Sequence, residues 1–105
     1  MLALIDTYTV LMDEIHFEWD ERKSIENRRK HKVSFEEAKT VFLDENATCF
    51  FDPDHSRDED RFIMLGMSFT LRVLVVCHCH RKDDSTIRII SARKADKREQ
   101  ASYRS

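Results

Sequence analysis

Glycine and proline are almost absent from this chain, since each occurs once in 105 residues. This scarcity excludes a flexible linker of the usual glycine-rich or proline-rich kind, and it favours a single domain. No run of about 18 apolar residues is present, so the sequence predicts no membrane-spanning helix. The three cysteines are an odd set without a secretory signal, which predicts reduced thiols and a cytoplasmic protein.

Several motifs of enzyme chemistry are missing as well. The chain has no P-loop, no glycine-rich dinucleotide fingerprint and no serine-hydrolase elbow. Catalysis in such a chain would rest on acid–base groups and cations, and no cofactor is expected. The run Cys77-His78-Cys79-His80 contains the residue types of a metal site, but strand alternation sends the thiols to one face and the imidazoles to the other. The sequence therefore predicts no metal site.

Charge is unevenly distributed along the chain, although the net charge is only -2. Residues 21–32 hold six basic side chains against two acidic ones, whereas residues 34–60 hold nine acidic against two basic ones. This pattern excludes a uniformly basic nucleic-acid binder. If RNA is bound, we expect it on a local patch made from the first helix and the C-terminal third.

Helix signals come early in the chain. Asp20 is placed to cap a basic helix, and Ser34 followed by Glu37 has the spacing of a capping box. The second helix then carries an apolar stripe that can pack on a sheet. A third helix is predicted over residues 92–103, with Tyr103 as its anchor.

Strand signals occupy most of the remaining chain. Strands are predicted over residues 15–19, 47–51, 61–68, 72–81 and 86–93. The last three have connections so short that they require antiparallel pairing. The predicted fold is α+β, with a small antiparallel sheet of four to five strands, two N-terminal helices packed on it and a C-terminal helix.

Two stretches bring polar side chains together. Helical spacing places Lys23, Asn27, Lys30 and His31 on one face, which is either a receptor for phosphates or an ordinary solvated face. A later polar turn holds His55 among several carboxylates. That turn suits a general acid or a phosphate contact, or else it is a solvated acidic turn.

Two positions in the predicted strands also stand out. His78 and His80 share a face, where they would either join a polar site near Arg81 or be partly buried. Arg88 shares its face with apolar side chains, and an arginine in that setting usually binds an anion or a carboxylate.

Four stretches resemble one protein family. Residues 17–44 read F-E-W-D-x-x-K-x-x-x-N-x-x-K-H-x-V-S-F-E-E-A-x-x-V-F-x-D, residues 52–61 read D-x-x-H-S-x-x-E-x-R, residues 66–72 read G-x-S-x-x-x-R, and residues 87–93 read IRIISAR. In this order and spacing the chain resembles the BrnT family, the toxin half of bacterial BrnT/BrnA toxin–antitoxin modules. Lys32 and Leu71 depart from its pattern, which commonly has glycine at both places.

The resemblance implies a RelE-like fold and a metal-independent endoribonuclease that cleaves RNA by 2′-hydroxyl attack and inhibits growth. A BrnA-like ribbon-helix-helix antitoxin would neutralise it, and DNA would be reached only through that antitoxin. Residues 1–11 would be an extension outside the family, and residues 12–105 a single toxin domain. The alternative is a non-catalytic binding module that acts only as antitoxin partner and co-repressor.

Matching motif positions carry the family's functional residues onto this chain. The resemblance implies acid–base candidates at Lys23, His31 and His55, and phosphate-stabilising residues at Arg81 and Arg93. The residues implied for binding the RNA backbone are Lys30, Arg72 and Arg88.

Overall fold

The structure is a computed structural model that describes residues 15–81 and 85–104. The predicted extension, residues 1–11, lies outside the described residues. The strands are β1 (His16–Glu18), β2 (Thr48–Phe51), β3 (Arg61–Met67), β4 (Val73–Arg81) and β5 (Thr86–Lys94), and the α-helices are α1 (Glu21–His31), α2 (Phe35–Lys39) and α3 (Lys97–Arg104). Short 3-10 turns follow α2 and β2. This arrangement confirms the predicted α+β class.

The five strands form one sheet in the order β1-β5-β4-β3-β2. Strands β2 to β5 pair antiparallel, as their short connections predict. β1 departs from the prediction of an antiparallel sheet, because it pairs with β5 in the parallel direction. Most of the chain lies between these two strands, which gives parallel neighbours the long crossover that they need. The sheet is therefore mixed, with its two shortest strands at the edges.

Each face of the sheet has its own apolar core. The helix-side core consists of Val33, Phe35, Ala38, Val41, Leu74, Val76, Ile89 and Ala92. The opposite face carries a smaller cluster of Leu65, Val73, Val75 and Ala95, against which Tyr103 of α3 packs. The Tyr103 hydroxyl donates to the Asp44 carboxylate at 2.6 Å. Tyr103 is therefore the anchor of α3, as predicted.

The C-terminal helix is shorter than predicted because β5 continues to Lys94. α3 begins after Asp96, which accepts the Glu99 amide at 2.8 Å, while the Glu99 carboxylate accepts the Asp96 amide at 2.9 Å. This reciprocal pair is a capping box. In the part of the chain that the structure describes, no helix has the length and apolar character needed to cross a membrane.

Helix α1 is tied to the sheet by the buried side chain of Asn27. Asp20 caps the helix as predicted, accepting the Arg22 and Lys23 amides. The Asn27 amide group then donates to the Ala92 carbonyl at 2.8 Å, and its oxygen accepts from the Ala92 amide at 3.1 Å. β1 is too short to pair with this end of β5. Asn27 therefore takes the place of a neighbouring strand there.

The predicted capping box at the start of α2 is half correct. Ser34 Oγ accepts the Glu37 amide at 3.0 Å, but the Glu37 carboxylate turns away to Ser68, Thr70 and Arg72. Hydrogen bonds from Arg72 are the main cause that lowers the pKa of Glu37 to about 2, and burial opposes this shift. This partly buried cluster joins α2 to the turn between β3 and β4.

Lys32 and Leu71 both adopt the left-handed backbone conformation, with φ of 61° and 65°. Lys32 follows the last residue of α1, and its amide donates to the Arg28 carbonyl at 2.9 Å. Leu71 lies in the turn between β3 and β4, where its amide donates to the Ser68 carbonyl at 2.9 Å. Both residues have a Cβ, so each is strained in a backbone conformation that glycine adopts without strain.

Strand β5 contains an irregularity that simple alternation does not predict. Cys77 pairs with Ser91 and His78 with Ile89, so Ile90 is an extra residue in the ladder. Ile89 and Ala92 consequently both lie in the helix-side core, although alternation assigned them to opposite faces. A bulge of this kind redirects side chains. Its effect here is that the open face of the sheet receives both Ile90 and Ser91.

Candidate active site

A cavity of about 250 Å³ opens on the face of the sheet opposite α2. Strands β3, β4 and β5 contribute its floor, and the end of α1 and the turn after β2 contribute its walls. Four lining side chains are imidazoles or guanidiniums: His31, His55, Arg61 and Arg93. The lining is completed by Asp52, Ile63, Val75, Cys77, Ile90, Ser91 and Ala92. Three of the five predicted catalytic residues therefore meet at one site.

The turn that carries His55 is closed by its own hydrogen bonds. The Asp52 amide donates to the Arg61 carbonyl at 2.8 Å, Ser56 Oγ donates to the Asp52 carbonyl at 2.5 Å, and the Arg61 amide donates to Ser56 Oγ at 2.9 Å. These bonds hold the two ends of the D-x-x-H-S-x-x-E-x-R motif together. His55 and Arg61 are consequently neighbours at the cavity.

The Asp52 carboxylate orients His55. Asp52 is buried, and its Oδ2 lies 2.9 Å from Nδ1 of His55. Because an ionised carboxylate can only accept a hydrogen bond, Nδ1 carries the proton in this contact. Nε2 is then the ring nitrogen of His55 that can take up or release a proton at the site.

His31 lines the cavity from the end of α1, which lies beside β5. It is the last residue of α1, one turn beyond Asn27. Asn27 bonds to Ala92 of the cavity lining and also donates to the Val33 carbonyl at 2.9 Å. The end of α1 is thereby fixed beside β5. Helical spacing placed Asn27 on a face that could receive phosphates. Its side chain is instead buried and hydrogen-bonded to the backbone, so it cannot be part of such a face.

Arg93 is held by two hydrogen bonds to one carboxylate of α3. Its Nη1 and Nη2 donate to Oε1 and Oε2 of Glu99, each at 2.8 Å. Hydrogen bonding by Arg93 is the main cause that lowers the pKa of Glu99 to about 2. The same contact raises the pKa of Arg93. The guanidinium is therefore firmly charged and firmly positioned at the edge of the cavity.

Arg61 lines the cavity but is not among the site residues predicted from the sequence. Its contact with Glu59 is long, with 3.9 Å between Nη2 and Oε1. The Nε of Arg61 is buried and has no hydrogen-bond partner among the described residues. The sequence signal for this residue was its position at the end of the same motif that begins with Asp52.

The other two predicted catalytic residues lie outside the cavity lining. Lys23 is exposed in the first turns of α1. Arg81 is the last residue of β4, and its Nη1 lies 3.7 Å from the Glu59 carboxylate. The structure therefore brings neither side chain into the lining where His31 and His55 meet.

The residues predicted to bind the RNA backbone are all close to carboxylates. Lys30 is exposed on α1, with its Nζ 3.7 Å from Glu26. Arg72 bonds to Glu37 through both Nε and Nη2. Arg88 pairs across strands, and its Nη1 donates to Oε2 of Glu18 on β1 at 2.8 Å. The anion that the sequence led us to expect at Arg88 is thus a carboxylate of the chain itself.

His78 is part of the core. It is 1% exposed and packs edge-on against Phe42, with ring centroids 4.9 Å apart. Burial lowers the pKa of His78 to about 4. Cys49, Cys77 and Cys79 are free thiols. In residues 15–81 and 85–104, no three His, Cys, Asp or Glu side chains are grouped so that they could hold a metal ion.

The fold and the cavity define a class of protein: a small α+β domain whose sheet presents histidines and arginines at one open site. A family model described as "Ribonuclease toxin, BrnT, of type II toxin-antitoxin system" matches residues 19–99. The chain belongs to this family of ribonuclease toxins.

A solved structure supports the fold assignment. The chain is similar to the Brucella abortus ribonuclease toxin BrnT, whose crystal structure was determined at 1.1 Å resolution. The two chains are 22% identical, the TM-score is 0.61, and the match covers 79% of this chain and 99% of the Brucella chain. At this identity the likeness establishes a shared fold. No curated protein sequence matches the chain.

Proposed function

We propose that this chain is a metal-independent endoribonuclease that cleaves RNA by attack of the 2′-hydroxyl on the adjacent phosphate. The observation that carries the proposal is the meeting of His31, His55 and Arg93 in one cavity of about 250 Å³. Two imidazoles and a guanidinium supply the proton transfers and the charge stabilisation that this reaction requires. They come from α1, the turn after β2 and β5, so their meeting is a product of the fold.

In the proposed reaction His55 is the base and His31 the acid. Nε2 of His55 removes the proton of the 2′-hydroxyl, and the 2′-oxygen forms a bond to phosphorus. The bond from phosphorus to the 5′-oxygen breaks, and protonated His31 donates its proton to that leaving oxygen. The products are a 2′,3′-cyclic phosphate and a 5′-hydroxyl. The Asp52 carboxylate at Nδ1 supports this assignment, because it holds the ring in the tautomer that a base needs.

Arg93 is proposed to stabilise the additional negative charge of the pentacovalent phosphorane. Its two hydrogen bonds to Glu99 keep the guanidinium in place before substrate binds, and, as for Arg72 and Arg88, the ion pair reduces the net charge that it offers to the substrate. Lys23 and Arg81 remain proposed members of the catalytic set on the family resemblance alone.

Binding of the RNA backbone is proposed for Lys30, which precedes His31 on α1 and is exposed. Arg72 and Arg88 are retained in the proposed set on the resemblance. Their guanidiniums form ion pairs with Glu37 and Glu18, which reduces the net positive charge that either could offer to RNA.

A BrnA-like ribbon-helix-helix antitoxin is the proposed partner, in a cytoplasmic toxin–antitoxin system. Five of the nine acidic side chains of residues 34–60 are exposed, and they support a basic surface on that partner. They are Glu36, Glu45, Asp54, Asp58 and Asp60. DNA would be contacted only through the antitoxin, which would neutralise the toxin by binding it.

The test is incubation of the purified chain with end-labelled RNA in EDTA, followed by analysis of the product ends. We expect 2′,3′-cyclic phosphate termini, and no cleavage where 2′-O-methyl groups block the mapped positions. His31→Ala, His55→Ala and Arg93→Ala should each lose at least about a hundredfold in rate. Lys39→Ala, an exposed cation on α2, is the matched control and should retain activity.

Acid and base can be separated with RNA that carries a bridging sulfur in place of the leaving 5′-oxygen. Because a thiolate leaves without protonation, this substrate should restore cleavage by His31→Ala but not by His55→Ala. Rescue of His55→Ala alone would reverse the two roles. A folded chain that leaves all RNA intact, and that does not slow growth when expressed alone, would instead favour the non-catalytic binding module.

A further inference from the structure

Arg61 differs from Arg88 and Arg93, which form close hydrogen bonds to carboxylates. Arg93 has two hydrogen bonds to Glu99, each at 2.8 Å, and Arg88 has one to Glu18 at 2.8 Å. The carboxylate contact of Arg61 is long, with 3.9 Å between its Nη2 and Oε1 of Glu59. Of the two guanidiniums that line the cavity, Arg61 is therefore the one that carries no hydrogen bond to a carboxylate in the described part of the chain.

Arg61 is also held in an incompletely satisfied position. Its backbone is fixed by Ser56 and Asp52, which close the turn. Its side chain is about one-third exposed, yet its Nε is buried without a hydrogen-bond partner among the described residues. A buried donor of this kind is unusual, since nearly all such groups find an acceptor. Because this Nε is buried, an anion would bond to the Nη groups of the partly exposed side chain.

A second groove lies directly beside the cavity. It has a volume of about 170 Å³, and it shares His55 and Arg61 with the cavity. The groove is completed by Arg57, Asp58 and Glu59. Glu59 is flanked by Arg61 and by Arg81, at 3.9 and 3.7 Å, so its charge is opposed from both sides. Arg61 thus stands at the boundary between two adjoining concave sites.

We propose that Arg61 binds a backbone phosphate of RNA at this boundary, so that the strand passes from the cavity into the adjacent groove. The inference rests on the proposed function, because it takes RNA as the ligand. A guanidinium suits this task, since its planar fork can donate two parallel hydrogen bonds to phosphate oxygens. Arg61 would therefore set the position of the strand, while His31 and His55 act on the bond that breaks.

The test measures binding separately from cleavage. A fluorescent oligonucleotide with 2′-O-methyl groups throughout cannot undergo 2′-hydroxyl attack, and its dissociation constant can be read from anisotropy over a range of salt concentrations. Arg61→Gln should weaken binding by about tenfold or more and reduce the slope of log K against log salt by about 0.7, the value for one phosphate of a single strand. Arg61→Lys should keep the slope but recover only part of the affinity. Arg98→Gln removes an exposed guanidinium of α3 and should change neither.

Circular dichroism and thermal melting establish that each variant is folded, and Arg61→Lys provides the measurement if Arg61→Gln is unstable. Wild-type affinity and slope in folded Arg61→Gln would overturn the inference, as would an equal loss in Arg98→Gln. If the wild-type chain binds this oligonucleotide through Arg61 but cleaves no RNA, the inference holds and the proposed function fails. If it cleaves RNA while Arg61→Gln binds normally, the proposed function holds and the inference fails.

Discussion

Glycine at positions 32 and 71 should make the fold more stable. Lys32 and Leu71 have φ of 61° and 65°, and an L-residue in this region costs roughly 1 to 2 kcal/mol that glycine does not incur. Leu71 is 78% exposed and Lys32 is exposed, so neither substitution removes buried apolar surface. The backbone hydrogen bonds of both residues, through their amides, are retained in the glycine variants.

Glycine also raises the conformational entropy of the unfolded chain. This effect reduces the stabilisation by about 0.4 to 1 kcal/mol per position. We therefore expect about 0.5 to 1 kcal/mol of stabilisation from each of Lys32→Gly and Leu71→Gly. The double variant should gain about 1 to 2 kcal/mol, which corresponds to a rise in Tm of at least about 4 °C for a domain of this size.

Urea denaturation measures this effect, with the midpoint expected to rise and the m-value to stay constant. Lys32→Ala and Leu71→Ala are the controls, since they shorten the same side chains but keep the Cβ that causes the strain. They should not stabilise the protein. If alanine stabilises as much as glycine does, or if glycine lowers the midpoint, backbone strain at these positions is not the operative cost.

Two further perturbations follow from the core. The folded pKa of His78 is about 4, below its ordinary value of 6.5, so the unfolded state binds more protons between these values and stability falls as pH drops from 6.5 to 4. The loss amounts to about 3 kcal/mol. His78→Phe should flatten this part of a stability profile measured by urea denaturation, and a profile as steep as that of the wild-type chain would refute this assignment. In Gly66→Ala the new Cβ would lie 2.9 Å from Cβ of Ala47 and 3.3 Å from the Val41 carbonyl. We expect a loss of about 1 to 3 kcal/mol in the same assay, and an unchanged midpoint would show that these neighbours can move apart.

The fold was largely predictable because its strongest signals are local. Asp20 and the apolar stripe of α2 identified the two N-terminal helices, and three apolar runs with short connections identified the antiparallel part of the sheet. The parallel pairing of β1 with β5 was missed, because it joins His16 to Thr86 and no local pattern reports a contact so distant in sequence. The bulge at Ile90 was missed for a related reason. A bulge is defined by how one strand pairs with its partner, so the periodicity of a single strand does not predict it.

The site was predictable in its residue types but less so in its geometry. Motif positions pointed to His31, His55 and Arg93, and these three line one cavity. Helical spacing assigned Asn27 to a phosphate-receiving face, yet its amide group completes the hydrogen bonding of Ala92 on β5. A buried amide and an exposed one have the same periodicity on a short basic helix. Only the position of the neighbouring strand distinguishes them.

The arginines show why a charge pattern in the sequence does not by itself locate a binding site. Arg72 and Arg88 form ion pairs with the carboxylates of Glu37 and Glu18, so much of their charge is neutralised within the fold. Among residues 15–81 and 85–104, Arg61 has no such hydrogen bond, although its own sequence neighbourhood does not set it apart, since acidic residues surround it as well. What decides the difference is whether a carboxylate reaches hydrogen-bonding distance, and that distance is set by strand pairing and turn closure. A cation left without such a partner at a concave surface is therefore a better indicator of an anion site than a cluster of basic residues along a helix.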